Sequence, residues 1–314
     1  MSSLVLKKSE ITLIDQHLKS TLQNLQKLMD QTPACVVYFL GVSLPGTAIS
    51  HQKQLSLFGM ITRMPGSVLH VHGTHILLSS KHSAGSWFQQ ILQLCTMYHL
   101  PHPLDLLQMS PTAITFNHLV KSKIIDYWES RLRYEASKLP SIPYFKPEFM
   151  SLTTSHLIWS SCGTNAFECQ KAVITSRMLS GRYLTDKHQR HWTENKEGFC
   201  LLPACSYLKA EGDLEHLLLF CPSMESTRDS LLKMINRVCL EDDNIAIILN
   251  NVFTDPDHKV RMQFLLDCTV LPQVIQLTQI QGPHIKNRLL YVARTWCYNV
   301  HRARMTQMGL LKFR

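Results

Sequence analysis

Cys200, Cys205, His216 and Cys221 lie within 22 residues, spaced Cys-x4-Cys-x10-His-x4-Cys. Three thiolates and one imidazole are a donor set that tetrahedral zinc takes in structural sites. The intervening Leu201-Leu202-Pro203-Ala204 is short enough to bend the first two sulfurs towards one ion. The second pair sits where Asp213 can start a helix and Pro222 must end one. Zinc bound there would clip a loop to a helix end and contribute on the order of 10 kcal/mol to a segment with little core of its own. Four protein ligands leave no position for water, so the expected Zn2+ is structural and not catalytic. The alternative is four unrelated residues in a chain that carries 10 Cys and 16 His.

Other groupings of the same residue types are weaker. His70, His72 and His75 have no nearby Cys or carboxylate to fix a geometry, and read as solvated or partly buried imidazoles. Cys162 and Cys169 with His188 and His191 could compete for the same ion but lack the short paired spacing. The run Glu241-Asp242-Asp243 reads as a solvated loop. No Gly-x4-Gly-Lys phosphate loop, Gly-x-Ser-x-Gly elbow, His-Glu-x-x-His or zinc-deaminase signature occurs, so no catalysis is expected.

The basic residues are unevenly placed. Between His284 and Arg314 there are Lys286, Arg288, Arg294, Arg302, Arg304, Lys312 and Arg314 and no acid, while Ile285, Leu289, Val292, Trp296 and Val300 form the opposite stripe of a helix. A second group, Lys171, Arg177, Arg182, Lys187, Arg190 and Lys196, precedes the Cys/His segment and is mixed with Tyr183 and Trp192. Such side chains neutralise phosphates and stack on unpaired bases. Arg182, Lys187, Arg190, Arg294, Arg302 and Arg304 are the candidate phosphate contacts, and RNA and/or DNA the candidate partner. A solvated helix face is the plain alternative. An amphipathic basic helix also suits a membrane surface or a partner protein.

The elements that must position these residues are helical. The chain has 314 residues, 45% apolar and 18% charged, with 32 Lys and Arg against 23 Asp and Glu, a formal charge of +9. That is too apolar for a disordered chain. Ala34 to Val42 is among the longest apolar runs and falls short of a bilayer span. The start MSSLVLKKSE lacks the features of a secretory signal. An intracellular chain, in the nucleus and/or cytoplasm, with reduced cysteines is therefore expected.

Scarce glycine and spacings of three and four predict an all-α fold. Ile11, Ile14, Leu18, Leu22, Leu25 and Leu28 form one stripe after a Ser9 N-cap, and Pro33 closes it. A helical hairpin follows over 34–64, broken between Gly41 and Gly46, then a segment at 86–98 and a turn of helix at 104–107. Phe116, Val120, Ile124, Trp128 and Leu132 recur every four residues in a long amphipathic helix to about Leu139. Residues 140–165, with Pro140, Pro143 and Pro147, read as an ordered linker. Helices are expected again at 167–183, 223–239, 257–279 and 283–311. The organisation predicted is thus a helical segment over 1–64, a helical connector over 65–139, the linker, and a helical C-terminal domain over 166–314 with the Cys/His knuckle at 200–221.

Leu55-Ser56-Leu57-Phe58-Gly59, Ser86-Trp87-Phe88, Tyr127-Trp128-Glu129, the stretch Arg177-Met178-Leu179-Ser180-Gly181-Arg182-Tyr183, the Cys/His cluster closed by Cys221-Pro222, and Thr295-Trp296-Cys297 follow one another in this order. Together they resemble the region C-terminal to the reverse transcriptase core in non-LTR (LINE-type) retrotransposon polyproteins, over nearly the whole chain and most specifically at 177–222. The resemblance implies that 1–64 is a remnant of the helical thumb and that the chain belongs to a truncated or degenerate element. It implies contact with template RNA and target DNA, with a full-length retroelement protein as a further partner. The polymerase carboxylates and the endonuclease of that family do not occur here, so its catalytic activities do not carry over. The rival expectation is a helical protein–protein interaction scaffold with a purely structural zinc.

Overall fold

The computed structural model describes residues 7–79, 86–190, 194–205, 207–282 and 284–310. His191, Trp192, Lys312 and Arg314, all named above, lie outside them. The described residues form an all-α fold of fifteen helices, with no sheet among them and one isolated antiparallel bridge, Phe199 to Glu211.

The first half contains α1 (Lys8–Leu25), α2 (Ala34–Gly41), α3 (Gly46–Thr62), α4 (Val68–Leu78), α5 (Trp87–Met97), α6 (Pro103–Met109) and α7 (Ala113–Ser137). Helix α1 does not use Ser9 as its cap. It starts after Lys7, whose N–H donates to the Glu10 carboxylate at 2.7 Å. Val42 at φ 49° ends α2 in the left-handed region, and Pro45 precedes α3, which makes the expected break. Along α7, Phe116, Val120, Ile124, Trp128, Leu132 and Ala136 are buried, so the four-residue period becomes the buried stripe. Gly59 lets α3 approach the Phe116 ring so closely that a Cβ there would overlap it. Helix α4 was not anticipated: its histidines interrupt any apolar stripe, and Gly73 is the residue that packs, under Phe88. His72 and His75 are exposed and His70 Nε2 meets only the Leu107 carbonyl at 3.4 Å, so this trio does not converge.

The second half contains α8 (Leu157–Ser160), α9 (Ala166–Leu179), α10 (Asp186–Gln189), α11 (Glu225–Glu241), α12 (Asp243–Thr254), α13 (His258–Asp267), α14 (Pro272–Gln281) and α15 (His284–Gln307). Helix α15 is the axis against which α9, α11, α13 and α14 pack. The single helix expected over 257–279 is two helices, because Asp267 caps a 3-10 turn at Cys268–Val270 and Pro272 restarts the chain. Glu241-Asp242-Asp243 is not a loop. Asp242 is the N-cap of α12, accepting from Asn244 and Ile245, and Arg288 pairs with Glu241 at 2.8 Å and Asp242 at 3.2 Å.

Residues 140–165 are ordered, yet they do more than link. Ile142, Phe145, Met150, Leu152, Ile158 and Cys162 join the same buried cluster as both halves. Arg133 on α7 donates to the Pro147 and Met150 carbonyls, and Glu129 accepts from Ser151 and Leu152, so side chains replace the missing helical hydrogen bonds. No single helix among the described residues is long and apolar enough to cross a membrane.

Candidate metal centre

A hairpin and a turn build the site. Gly198 at φ 72° begins the hairpin; Cys200 donates its N–H to Ala210 O at 2.8 Å and Gly212 returns one to Gly198 O at 2.9 Å. A 3-10 turn, Pro203–Cys205, folds the tip back, with Ala204 N–H held by Ser223 Oγ at 3.0 Å. The chain then enters a turn in which Asp213 Oδ1 accepts from His216 N–H at 2.8 Å, the cap foreseen at that residue. The helix foreseen there continues as a π-helical turn over His216–Phe220, closed by Cys221 N–H to His216 O at 2.6 Å, before Pro222 ends it. One widened turn brings residues five apart together, and so sets His216 beside Cys221.

Cys205 Sγ stands 3.4 Å from His216 Nε2 and 3.4 Å from Cys221 Sγ, and Cys200 Sγ stands 4.0 Å from Cys221 Sγ. All four donor atoms lie within 4.8 Å of one another, close enough to share one metal ion. The sulfurs are too far apart for a disulfide, whose S–S length is about 2.05 Å, and all three cysteines are free and buried. Without a cation the thiols share protons: the hydrogen bond from Cys200 lowers the Cys221 thiol, the same bond and burial push Cys200 up to about 12, and burial raises Cys205. A cation is what would let all three be thiolates at once.

The centre is the one such group of His, Cys, Asp and Glu among the described residues. The competing set does not form: Cys162 Sγ is held by Arg294 at 3.0 Å, His188 Nδ1 is bonded to Thr185 Oγ1 at 2.8 Å, and His191 is outside the described residues. Surrounding groups hold the ligands in place. Arg228 donates to Cys221 O at 2.7 Å, Gln307 to Ser223 O at 2.7 Å, and Trp296 Nε1 to Leu218 O at 3.2 Å, all from helices outside the knuckle.

The six candidate phosphate contacts separate into two classes. Arg294 and Arg304 are 2% and 3% exposed and committed inside the protein. Arg294 donates to Ile158 O, Ser161 Oγ and Cys162 Sγ and pairs with Glu168 at 3.5 Å. Arg304 donates to Leu184 O and pairs with Asp186 at 3.1 Å. A buried guanidinium paired with a carboxylate is not offered to a ligand, so the surface reading is corrected for both. Arg182, Lys187, Arg190 and Arg302 are accessible. The first three line a cleft of about 600 Å³ beside the knuckle, together with Tyr144, Asp213 and Glu215, and Lys187 also pairs with Glu211 at 2.7 Å.

Asp186 is the residue that sequence reasoning missed. Its Oδ1 takes Arg304 and its Oδ2 accepts from Leu201 N–H at 3.3 Å, tying α15 and the basic turn to the first ligand loop. Gly212 packs against it, where a Cβ would come within 2.7 Å of the Asp186 Cβ. The signal available was Thr185, an N-cap type before an acid, which caps α10 by accepting from His188 N–H.

No protein-family model, curated protein or solved structure matches this chain.

Proposed function

We propose that this chain is a non-catalytic nucleic-acid-binding module, held together by a structural zinc ion and derived from the post-polymerase region of a non-LTR retrotransposon reverse transcriptase. The observation that carries the reading is the convergence of Cys200, Cys205, His216 and Cys221 beside a cleft lined by Arg182, Lys187 and Arg190. Zinc suits the donors. With Zn–S near 2.3 Å and Zn–N near 2.0 Å, tetrahedral geometry separates sulfurs by about 3.8 Å and sulfur from nitrogen by about 3.5 Å. The separations of 3.4, 3.4 and 4.0 Å lie within a few tenths of an ångström of those edges.

The zinc is a staple in this reading and the cations beside it meet phosphates of RNA or DNA inside the cell, alone or with a full-length retroelement protein. Neutralised phosphates release counterions, so affinity for an oligonucleotide falls steeply as salt rises. Metal content is the first test: the purified protein carries close to one zinc per chain and Cys205→Ser with Cys221→Ser carries none; equal content rejects the site. Salt dependence is the second: a flat response, or no binding at low salt, rejects the nucleic-acid role. Association with another protein that survives nuclease would favour the interaction-scaffold reading instead.

A further inference from the structure

The cleft beside the knuckle does not end there. Arg182 and Tyr183 line it together with a second cleft of about 200 Å³, and Arg177 and His301 line that one together with a third of about 470 Å³ between α9 and α15. The three clefts therefore adjoin, as a groove divided by the residues they share. Its cations are Lys27, Arg177 and Arg302 in the third cleft, Arg177, Arg182 and the internally paired Arg304 in the second, and Arg182, Lys187 and Arg190 in the first. Among the described residues no Asp or Glu lines the second or third section.

Two helix ends set this row. Helix α1 closes with Lys27 at φ 54°, its N–H on Asn24 O at 3.2 Å and Leu28 N–H on Gln23 O at 2.9 Å. Helix α9 closes the same way, with Gly181 at φ 64°, Gly181 N–H on Met178 O at 3.1 Å and Arg182 N–H on Arg177 O at 3.1 Å. Both are left-handed caps that turn the chain sharply and fix where the next side chains leave. Arg177 Nε donates to Lys27 O at 2.7 Å, which locks the two ends together. Lys27 and Arg302 are exposed and neither forms an ion pair with a carboxylate among the described residues. The floor is apolar: Val173, Ile174 and Tyr298 in the third section, Met29, Met305 and Met308 in the second.

We propose that this groove is a track for single-stranded nucleic acid, entering at Lys27 and Arg302 and running to the knuckle. The inference rests on the nucleic-acid reading given above and extends it to a face some way from the metal centre. Cations at the rim meet the phosphates, and the methionine, valine and tyrosine floor takes the unpaired base faces. A duplex keeps those faces stacked inside and has nothing to set against the floor.

The test is fluorescence anisotropy on the full chain with a labelled 20-nucleotide oligo-dT, comparing wild type with Lys27→Glu/Arg302→Glu. The double variant binds about tenfold more weakly, and its dependence of log K on log salt flattens by about 1.4, the share of two single-strand phosphate contacts. Metal content and helical circular dichroism stay as in wild type. The neutral pair Lys27→Gln/Arg302→Gln shifts the slope in the same direction and covers the case where charge reversal harms folding. If wild type binds and both variants bind equally well, the track is overturned while the role beside the knuckle stands. If wild type does not bind at low salt, both fall. A 20-base-pair duplex or a polyglutamate peptide that binds as tightly as the single strand also overturns the assignment.

Discussion

Where α3 meets α7, Phe58, Phe116, Val120 and Ile124 are at most 1% exposed and belong to the buried apolar cluster. Between Gly198 and Met224 the regular elements are a single bridge and turns of three to five residues, and the buried side chains among the described residues are Cys200, Leu202, Cys205, Leu217, Leu218, Cys221 and Met224. The first region holds itself by apolar area, about 25 cal/mol for each Å² removed from water. The second has three thiols among its seven buried side chains, and its turns are too short to hold their shape by helical hydrogen bonding. Burial of area tolerates exchange of one apolar side chain for another of like volume; a shared ion tolerates no loss of a donor.

The largest expected effect separates the two directly. Removing the ion with a chelator, or replacing Cys205 and Cys221 by Ser, withdraws binding free energy on the order of 10 kcal/mol from the knuckle. Hydrogen exchange followed by mass spectrometry then shows residues 198–224 losing protection while the amides of α3 and α7 keep theirs. Equal loss in both regions, or loss in neither, breaks the comparison.

Phe116→Ala probes the other region. Its ring fills the space left open by Gly59, and truncation leaves a cavity that costs about 3–5 kcal/mol. A lowered denaturation midpoint with unchanged metal content is the expected result. A change in metal content would mean that the knuckle leans on the first half far more than the packing implies.

The same contrast explains what could be read before folding. In α7 the apolar residues recur with the helix period, and the four clustered Cys and His donors sit close in the chain, so both were legible. Arg294 and Arg304 were not, because the carboxylates that bury them, Glu168 and Asp186, lie 126 and 118 residues away. A helix face crowded with cations looks solvated until such partners arrive. The packing of residues 140–165 was hidden for a related reason: Ile142, Phe145 and Met150 are core residues without a period, in a segment held by Arg133 and Glu129 from another helix. Helix α12 hid behind Asp242, a cap that resembles an acidic loop.

Gly181→Ala gives a smaller effect at the junction. The glycine lies at φ 64°, and an added Cβ would run into the Ser141 carbonyl. Left-handed strain alone costs about 1–3 kcal/mol. The cap of α9 orients Arg182, so oligonucleotide affinity should fall along with the midpoint, whereas Phe116→Ala lowers the midpoint and leaves the affinity of the folded protein alone. Unchanged affinity in Gly181→Ala would detach the cap from the basic groove.

The subtlest difference is between two histidines. His51 in the first half bonds through Nδ1 to Tyr98 OH at 2.7 Å, and His301 in the second bonds through Nδ1 to Tyr183 OH at 2.9 Å. Burial lowers both, but the second influence has opposite sign: Asp15 raises His51, while Arg304 and Arg177 drive His301 further down, to about 4. For His301 the folded value lies below the unfolded value near 6.5, so between about pH 6.5 and 4 the unfolded chain binds the extra proton and stability declines as pH falls. His301 is partly exposed, and solvent screening reduces the effect to on the order of 1 kcal/mol. Amide protection around α9 and α15, corrected for the intrinsic slowing of exchange in acid, should therefore fall on acidification ahead of that around α3 and α5. His301→Gln keeps a hydrogen-bonding side chain facing Tyr183 but cannot titrate, and it should flatten that dependence while His51→Gln leaves it in place. If the two substitutions behave alike, the cations gathered beside His301 do not set the acid response of the second half.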